Sequence, residues 1–550
     1  RKVLSPEQLD AGYRLACQTK INNEMVINIP QEVRFFEQKV LEEGLEKEVK
    51  PHPSVEKVFL ELPQPSLQDQ SSDVDRLLRC LDGSVCRCGF DLDLIRGIPT
   101  IIREADFKVT AVLNEDEIVC VESGDTTSRC FGIAFDIGTT TVVGMLTELR
   151  SGKRLAVSSR TNPQVVYGDD VISRITYASQ NAHGLWELQK RIVGCLNEIT
   201  AELCQASGVK REEIYDATVA GNTTMNHLFL GVDPHNIAQA PYVAVIREGV
   251  NIKASDIGLE LNPCARVYVM PNIAGFVGGD TVAMILSSGM MHSDRLRLAI
   301  DIGTNGEVVL GTKDRMICCS CAAGPAFEGA RIKFGMRAAE GAIEKVVITD
   351  DVEINVIGNV PARGLCGTAL IDTVAELLRV GIVDPMGRIL PPDQVNVSDA
   401  LKRRIVEGEN GFDFILAREE EAHNGEPVLI TQRDIRELQL AKGAIFAGIQ
   451  ILKGELGVSD DDIDEILLAG AFGNFIRRSM AKRIGLLPDI PTERIRFIGN
   501  AAGAGARLAL ISRRCREEAT AISEKTEYIE LGGRPDFQEQ FALAMMFPEE

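Results

Sequence analysis

The alternation of apolar and polar residues changes character near residue 130. Before this point the pattern predicts a short helix from Val74 to Leu81 and a strand region over "KVTAVLNEDEIVCVE" (108–122). From Phe131 to about residue 513, apolar strands alternate with periodic helices and glycine-rich turns, which is typical of α/β domains. A mixed tail follows at 514–550. We therefore expect a small α+β domain at 51–128 and a larger α/β domain at 129–550.

One phrase occurs twice in the larger domain. "FDIGTTTVVGML" (135–146) and "AIDIGTNGEVVLG" (299–311) each place Asp-Ile-Gly-Thr between apolar β-branched residues. The flanks predict two strands joined by a tight turn, whose backbone N–H groups converge and can bind an anion. The repetition predicts two related lobes, at about 131–295 and 296–513, that face one phosphate-bearing ligand across a cleft.

Each copy offers the same candidate side chains. An aspartate at the end of a buried strand is poorly placed beside phosphates unless Mg²⁺ lies between them, since this ion takes one or two carboxylates plus phosphate. Asp136 and Asp301 are therefore the candidate magnesium ligands. The candidate phosphate-binding residues of the two turns are Gly138, Thr139, Thr140, Thr141, Gly303, Thr304, Asn305 and Gly306. The sequence contains no Walker motif, Gly-x4-Gly-Lys-Ser/Thr.

Three further stretches combine glycine with short side chains. "VAGNTTMNHLFLG" (219–231) and "GNAAGAGARLAL" (499–510) each predict a helix after a Gly-Asn turn, and the small residues of the second allow two helices to cross closely. "ILLAGAFGNFI" (466–476) predicts a strand broken by glycines, against which a flat adenosine could lie. The candidate nucleotide-binding residues of these stretches are Gly221, Asn222, Gly470, Ala471, Gly473 and Asn500.

Composition narrows the classes of function. A chain of 550 residues is too long for one core and predicts three or four domains. The net charge of −21 argues against nucleic acid or an anionic membrane as partner, and no apolar run reaches the roughly 18 residues needed to span a bilayer. The 14 cysteines are scattered, which predicts reduced thiols in a cytoplasmic protein.

The order of the motifs resembles that of the acetate kinase, sugar kinase, heat-shock chaperone and actin superfamily over about residues 131–513. The motifs occur in the following order: a phosphate turn, a connecting helix at 219–231, a second phosphate turn, an adenosine turn and a second connecting helix at 499–510. The resemblance implies an α/β fold of two ribonuclease-H-like lobes, with ATP and Mg²⁺ in the cleft between them and hinge closure around the nucleotide.

Longer motifs resemble the reductive activators of corrinoid proteins: "PNIAGFVGGDTVAMIL" (271–286), "SCAAGPAFEGARI" (320–332) and "ARGLCGTALIDTVAELL" (362–378). The resemblance implies ATP-dependent return of inactive Co(II) to Co(I) in a corrinoid iron–sulfur protein or a methyltransferase corrinoid subunit, with a low-potential electron donor. Asp280 is a candidate for orienting the attacking water. Glu328 either makes a local hydrogen bond or orients a water near the γ-phosphate. Ser320, in a loop of small residues, either contacts the corrinoid or supports Asp301.

The stretch "GYRLACQTKI" (12–21) resembles the end of a plant-type ferredoxin domain. The resemblance implies a 2Fe–2S cluster with Cys17 as one ligand, a remnant of the ferredoxin domain at 1–20, a linker at 21–50, and three more cysteine ligands upstream of Arg1. A small-molecule kinase of the same superfamily is the alternative, and it needs a catalytic carboxylate and an acceptor pocket. A homodimer through the domain at 51–128 is a further expectation.

Overall fold

The computed structural model describes residues 49–81, 91–470 and 476–549. Its first part is a three-stranded antiparallel sheet in the order β1-β2-β3, packed against two helices. The apolar stretch from Ile98 to Ile102 supplies part of its core. The elements are β1 (Val55–Glu61), α1 (Asp73–Cys80), α2 (Leu92–Glu104), β2 (Lys108–Asn114) and β3 (Glu117–Ser123).

The first lobe is built on a six-stranded sheet in the order β6-β5-β4-β7-β9-β8. Strands β4 to β6 form an antiparallel meander, and β7 pairs with β4 in parallel and is followed by β9, also in parallel. The elements are β4 (Phe131–Ile137), β5 (Thr141–Glu148), β6 (Arg154–Thr161), α3 (Val171–Gln180), α4 (Gly184–Ser207), β7 (Ile214–Gly221), α5 (Thr223–Leu230), β8 (Val250–Lys253), β9 (Arg266–Val269) and α6 (Gly279–Ser288).

The second lobe repeats this arrangement in a sheet of order β20-β19-β10-β11-β12-β21. Strands β10 to β12 form the meander, and β19 and β20 add in parallel beside β10. The elements are β10 (Arg297–Ile302), β11 (Gly306–Gly311), β12 (Met316–Cys321), α7 (Gly367–Arg379), α8 (Asp399–Lys402), α9 (Gln432–Leu456), β19 (Glu465–Ala469), α10 (Arg478–Arg483), β20 (Ile495–Gly499), α11 (Ala501–Ile511), α12 (Arg513–Lys525), β21 (Thr526–Tyr528) and α13 (Pro535–Ala544).

Two three-stranded sheets are inserted between β12 and β19 along the chain. They consist of β13 (Ala342–Ile348), β14 (Val352–Val356), β15 (Gly364–Leu365), β16 (Ile405–Gly408), β17 (Gly411–Ala417) and β18 (Val428–Ile430). The strand order shared by the two large sheets confirms the predicted fold class, two ribonuclease-H-like lobes preceded by a small α+β domain. Within the described ranges, no helix has both the length and the apolar character to cross a membrane.

The segment 514–550, predicted to be a tail, is integrated into the fold. Strand β21 pairs in parallel with β12 and forms one edge of the second large sheet. Phe547 is buried in the core of the second lobe, and α13 packs against α9. In α12, Arg516 makes an ion pair of 2.6 Å with Asp216, which is fully buried in β7 of the first lobe.

Helices α6 and α11 cross in the layer of apolar side chains between the two large sheets. A Cβ atom on Gly505 would lie 2.1 Å from the carbonyl oxygen of Ala283, so the missing side chain sets the distance between the helices. The assignment of 219–231 as the first connecting helix is wrong. Helix α5 has eight residues, ends at Leu230 just before Gly231, and packs against α4 and β7 within the first lobe.

Candidate functional site

The first turn, residues 138–140, joins β4 to β5. The Gly138 N–H donates to the carbonyl oxygen of Thr141 at 3.0 Å, and a Cβ on Gly138 would lie 2.7 Å from the same oxygen. Only glycine permits this approach. Asn162 Nδ2 donates to the Gly138 carbonyl at 2.9 Å, and Arg174 Nη2 donates to the Thr139 carbonyl at 2.5 Å. These two side chains fix the turn from the inside of the first lobe.

The second turn, residues 303–305, also joins two antiparallel strands, β10 and β11. Its pairing closes one residue sooner, because Ile302 lies opposite Gly306 whereas Ile137 lies opposite Val142. The Gly303 N–H donates to the carbonyl oxygen of Asn305 at 3.2 Å. A Cβ on Gly306 would lie 2.7 Å from Cγ1 of Ile445, so helix α9 packs directly on the backbone at the start of β11. The two copies of the repeated phrase therefore form two related hairpins, one in each lobe, that differ by one residue in their pairing.

The two Gly-Asn turns place an asparagine at a helix N-terminus and near a hairpin. Asn222 caps α5, and its Nδ2 donates to Thr139 Oγ1 at 3.1 Å. Asn500 caps α11, and its side chain also hydrogen-bonds the carboxylate of Asp136. A Cβ on Gly221 would lie 3.0 Å from the carbonyl oxygen of Ile137 in the neighbouring strand, β4. The structure thus brings these predicted residues to the first turn.

Four carboxylates interact where the two hairpins meet. Burial raises the pKa of Asp136 to about 7, and the charges of Asp280 and Asp301 add to the effect. Burial likewise raises the pKa of Asp301 to about 7 and that of Asp280 to about 6. The pKa of Glu307 is raised well above its usual value by burial and by the charges of Asp280 and Asp301. The burial of negative charge in this cluster is therefore unfavourable, and a cation beside the carboxylates would offset it.

The carboxylate cluster fits Mg²⁺ that is shared with a ligand. Carboxylate oxygens are suitable for this ion, which normally takes only one or two of them and completes its shell with phosphate oxygens and water. In the part of the chain that the structure describes, no group of three or more His, Cys, Asp or Glu residues could hold a metal ion unaided. The arrangement does not fit a metal cage made by the protein alone.

Glu307 was missed by the reasoning from the sequence, although it lies inside the quoted phrase. It occupies a position in β11 whose counterpart in the first hairpin is Val142. A single carboxylate in an otherwise apolar strand is the feature of the sequence that could have identified Glu307. Asn162 and Arg174 were also missed, because each lies outside the repeated motif and reaches the turn only through the fold.

Glu328 links the two turns directly. Its Oε2 accepts a hydrogen bond from Thr140 Oγ1 at 2.7 Å, and its Oε1 accepts one from Thr304 Oγ1 at 2.6 Å. One carboxylate therefore bonds a threonine of each lobe. The sequence predicted Glu328 to lie near these turns but gave no sign of the double contact.

Ser320 lies in strand β12 and not in the loop that follows it. It pairs in register with Glu307 of β11, so both side chains lie on the same face of the sheet. Ser320 is half-buried there. This position places it beside the carboxylate cluster, and its contact with a corrinoid stays a prediction.

The end of β19 also borders the cluster. Gly470 has a φ of +91°, and a Cβ on it would lie 2.6 Å from Oδ1 of Asp301. Ala471 and Gly473, predicted beside the adenosine, lie outside the described residues, and so does Cys17. Their roles stay predictions.

The wild type is expected to lose stability relative to an Asp301→Asn variant as pH rises. Since the raised pKa lets folded Asp301 keep a proton that the unfolded chain has lost, stabilisation present below about pH 4 disappears by about pH 7. We expect the difference in free energy of unfolding to change by about 3 kcal/mol between about pH 5 and about pH 8.

Denaturant unfolding in EDTA measures this change. The exposed residue Asp393 supplies a matched control, Asp393→Asn, for the substitution itself. A difference between wild type and Asp301→Asn that stays constant over this range of pH would contradict the electrostatic account of the cluster.

Three family models match consecutive parts of the chain. They describe the RACo linker region over residues 44–128, the RACo middle region over residues 131–293, and the C-terminal domain of RACo, the ASKHA domain, over residues 295–550. Among solved structures, the reductive activator for corrinoid, iron-sulfur protein superimposes with a TM-score of 0.81 at 40% identity, covering 99% of this chain and 89% of that chain.

Two curated proteins are similar over most of their length. The corrinoid activation enzyme RamQ of Eubacterium limosum is 37% identical over 479 residues, which is 84% of this chain and 80% of that protein. The Co(II) methylated amine-specific corrinoid protein reductase of Methanosarcina barkeri is 27% identical over 429 residues, 72% of each chain. These matches confirm the resemblance drawn from the motifs, and the chain belongs to the RACo family of reductive activators of corrinoid proteins.

Proposed function

We propose that the protein uses ATP to return the inactive Co(II) form of a corrinoid protein to Co(I). The observation that carries this proposal is the relationship to a corrinoid activation enzyme at 37% identity, in a chain whose two related hairpins meet at a carboxylate cluster. The corrinoid protein is the substrate, and its cobalt gains one electron. The partner is a corrinoid iron–sulfur protein or the corrinoid subunit of a methyltransferase.

The two turns would bind the phosphate groups of ATP, and the cluster would bind Mg²⁺. Asp136 and Asp301 are the proposed ligands, because each lies one residue before the end of a strand at its hairpin. Burial raises the pKa of both carboxyl groups, and a divalent cation between them would offset this effect. Mg²⁺ supplies charge neutralisation for the phosphates. Asp280, at the start of α6, is the proposed residue for orienting the attacking water.

ATP can drive an unfavourable electron transfer only if it binds two conformations of the protein with different affinities. The fold offers such a pair of states, because the nucleotide site is divided between lobes that contact each other through α6 and α11. We propose that lobe closure on ATP holds the corrinoid partner in a geometry that weakens axial ligation of Co(II). Hydrolysis would then release the reduced partner.

The electron source is proposed to be a low-potential donor acting through a 2Fe–2S cluster. The described residues do not fit such a cluster, since none of their groups of three or more His, Cys, Asp or Glu side chains could hold a metal centre unaided. Cys17 remains the candidate ligand by resemblance alone. Cys130, Cys195 and Cys318 are buried free thiols, which supports a reducing, cytoplasmic compartment for the reaction.

Anaerobic absorption spectroscopy of a Co(II) corrinoid protein tests the proposal. With the protein and a low-potential reductant such as titanium(III) citrate, Co(I) should form when Mg·ATP is added and should not form with Mg·ADP. Co(I) formation at the same rate without nucleotide would overturn the proposal. Phosphorylation of a small acceptor, with no effect on cobalt, would favour the kinase alternative.

A further inference from the structure

One carboxylate connects the lobes at the point where both offer hydroxyl groups. Glu328 accepts from Thr140 of the first turn at 2.7 Å and from Thr304 of the second turn at 2.6 Å. Hydrogen bonds to an ionised acceptor are stronger than those between neutral groups. The contact therefore ties together two turns that belong to separate sheets.

The side chain of Glu328 extends from a fixed base in the second lobe. It ends a single helical turn, Pro325–Glu328, which lies between two glycines in the left-handed region, Gly324 at φ +76° and Gly329 at φ +81°. The preceding residue, Phe327, is 1% exposed and belongs to the core of the second lobe. Glu328 thus extends from a buried anchor toward the first lobe.

The segment that follows Glu328 makes a second contact between the lobes. Arg337 Nη1 donates to Thr161 Oγ1 at the end of β6, at 3.2 Å. Between these two points, the Lys333 N–H donates to Asp434 Oδ1 at 2.9 Å, which holds the segment on helix α9 of the second lobe. Segment 324–337 is therefore rooted in one lobe and bonded to the other at two places.

A carboxylate and a phosphate group compete for the same donors. Both are anions that accept hydrogen bonds from hydroxyl and backbone N–H groups. Two anions side by side also repel, and the repulsion grows where protein replaces water. Phosphates held by the two turns would meet the carboxylate of Glu328 at the hydroxyls of Thr140 and Thr304.

We propose that Glu328 is a built-in competitor for the phosphate groups of the nucleotide, and that a bound nucleotide replaces it at Thr140 and Thr304. The inference rests on the proposed function, because it requires a nucleotide at the two turns. It gives Glu328 a positioning role: the residue ties the lobes together and lowers nucleotide affinity. This role differs from orienting the attacking water.

Titration calorimetry with Mg·ADP on the wild type and on Glu328→Gln and Glu328→Ala variants tests the inference. We expect the Kd to fall about tenfold in both variants, since each removes a charged hydrogen-bond acceptor. The exposed Glu340 supplies the charge control, Glu340→Gln, which should leave the Kd within about twofold. An unchanged or higher Kd in both Glu328 variants overturns the proposal. A water-orienting role predicts slower hydrolysis at unchanged Kd.

A double-mutant cycle separates competition for the hydroxyl from simple charge repulsion. In a Thr140→Val background, Glu328→Ala should lower the Kd by less than it does in the wild type, because the competing carboxylate has already lost one donor. If Glu328→Ala changes the Kd equally in both backgrounds, the proposal that Glu328 and the nucleotide compete for the Thr140 hydroxyl is overturned. An absence of Mg·ADP binding to the wild type would instead contradict the proposed function itself.

Discussion

Exchanging Asp136 or Asp301 for asparagine is expected to slow Mg²⁺-dependent ATP hydrolysis by about 100-fold or more. Each aspartate lies one residue before the end of a strand, beside a proposed phosphate turn, and each is a proposed ligand of the metal ion. Asparagine keeps the shape of the side chain but removes the charge that holds the ion. The rate of phosphate release under saturating Mg·ATP measures the effect, and the same variants should fail to support Co(I) formation.

The fold should survive these substitutions. Since burial and the neighbouring carboxylates penalise the charged form of both aspartates, a neutral side chain relieves repulsion and should keep or raise the free energy of unfolding. Thermal unfolding in EDTA checks this, with Asp393→Asn as the matched surface control. Hydrolysis at the wild-type rate in a folded Asp136→Asn or Asp301→Asn variant would contradict the assignment of the metal ligands.

A side chain at Gly505 is expected to be strongly destabilising. The Cβ of alanine there would lie 2.1 Å from the carbonyl oxygen of Ala283 and 2.5 Å from its Cα, so helices α6 and α11 would have to separate. Backbone atoms cannot yield as a flexible side chain can, and we expect Gly505→Ala to cost about 4 kcal/mol in free energy of unfolding. Chemical denaturation followed by circular dichroism measures this loss.

Gly194 offers the matched control. It also lies inside a helix, α4, but apart from its chain neighbours and the adjacent backbone of that helix, no atom lies within 4 Å of the Cβ that alanine would add. Gly194→Ala should stabilise the protein by roughly 0.5 to 1 kcal/mol, since glycine carries an entropic penalty in a helix. Equal effects of the two substitutions would show that the helix crossing does not depend on the absence of a side chain at Gly505.

Local sequence was sufficient to predict the paired hairpins. Asp-Ile-Gly-Thr between apolar β-branched residues determines strand, turn and strand without help from distant parts of the chain. Its repetition indicated two related lobes, which the shared strand order of the two large sheets confirms. The helix caps at Asn222 and Asn500 could also be predicted from local sequence. An asparagine before a run of helix-forming residues accepts hydrogen bonds from the first free N–H groups of the helix.

Contacts between distant segments could not be predicted in this way. The partner of α11 is α6, and the choice depends on the approach of Gly505 to Ala283, which are far apart in sequence. The bond between Glu328 and Thr140 joins the two lobes, and Glu307 reaches the cluster only because β11 lies beside β10. Strand β21 likewise finds its place by pairing with β12, although its own sequence reads as part of a tail.

The most direct test of the central claim is titration calorimetry of a nonhydrolysable ATP analogue with Mg²⁺. The account predicts binding of one nucleotide per chain in the wild type, and loss of most of the heat in EDTA and in the folded Asp136→Asn, Asp301→Asn double variant. Absence of heat with the wild type, or the same affinity in the double variant, would contradict a magnesium nucleotide site between the two hairpins.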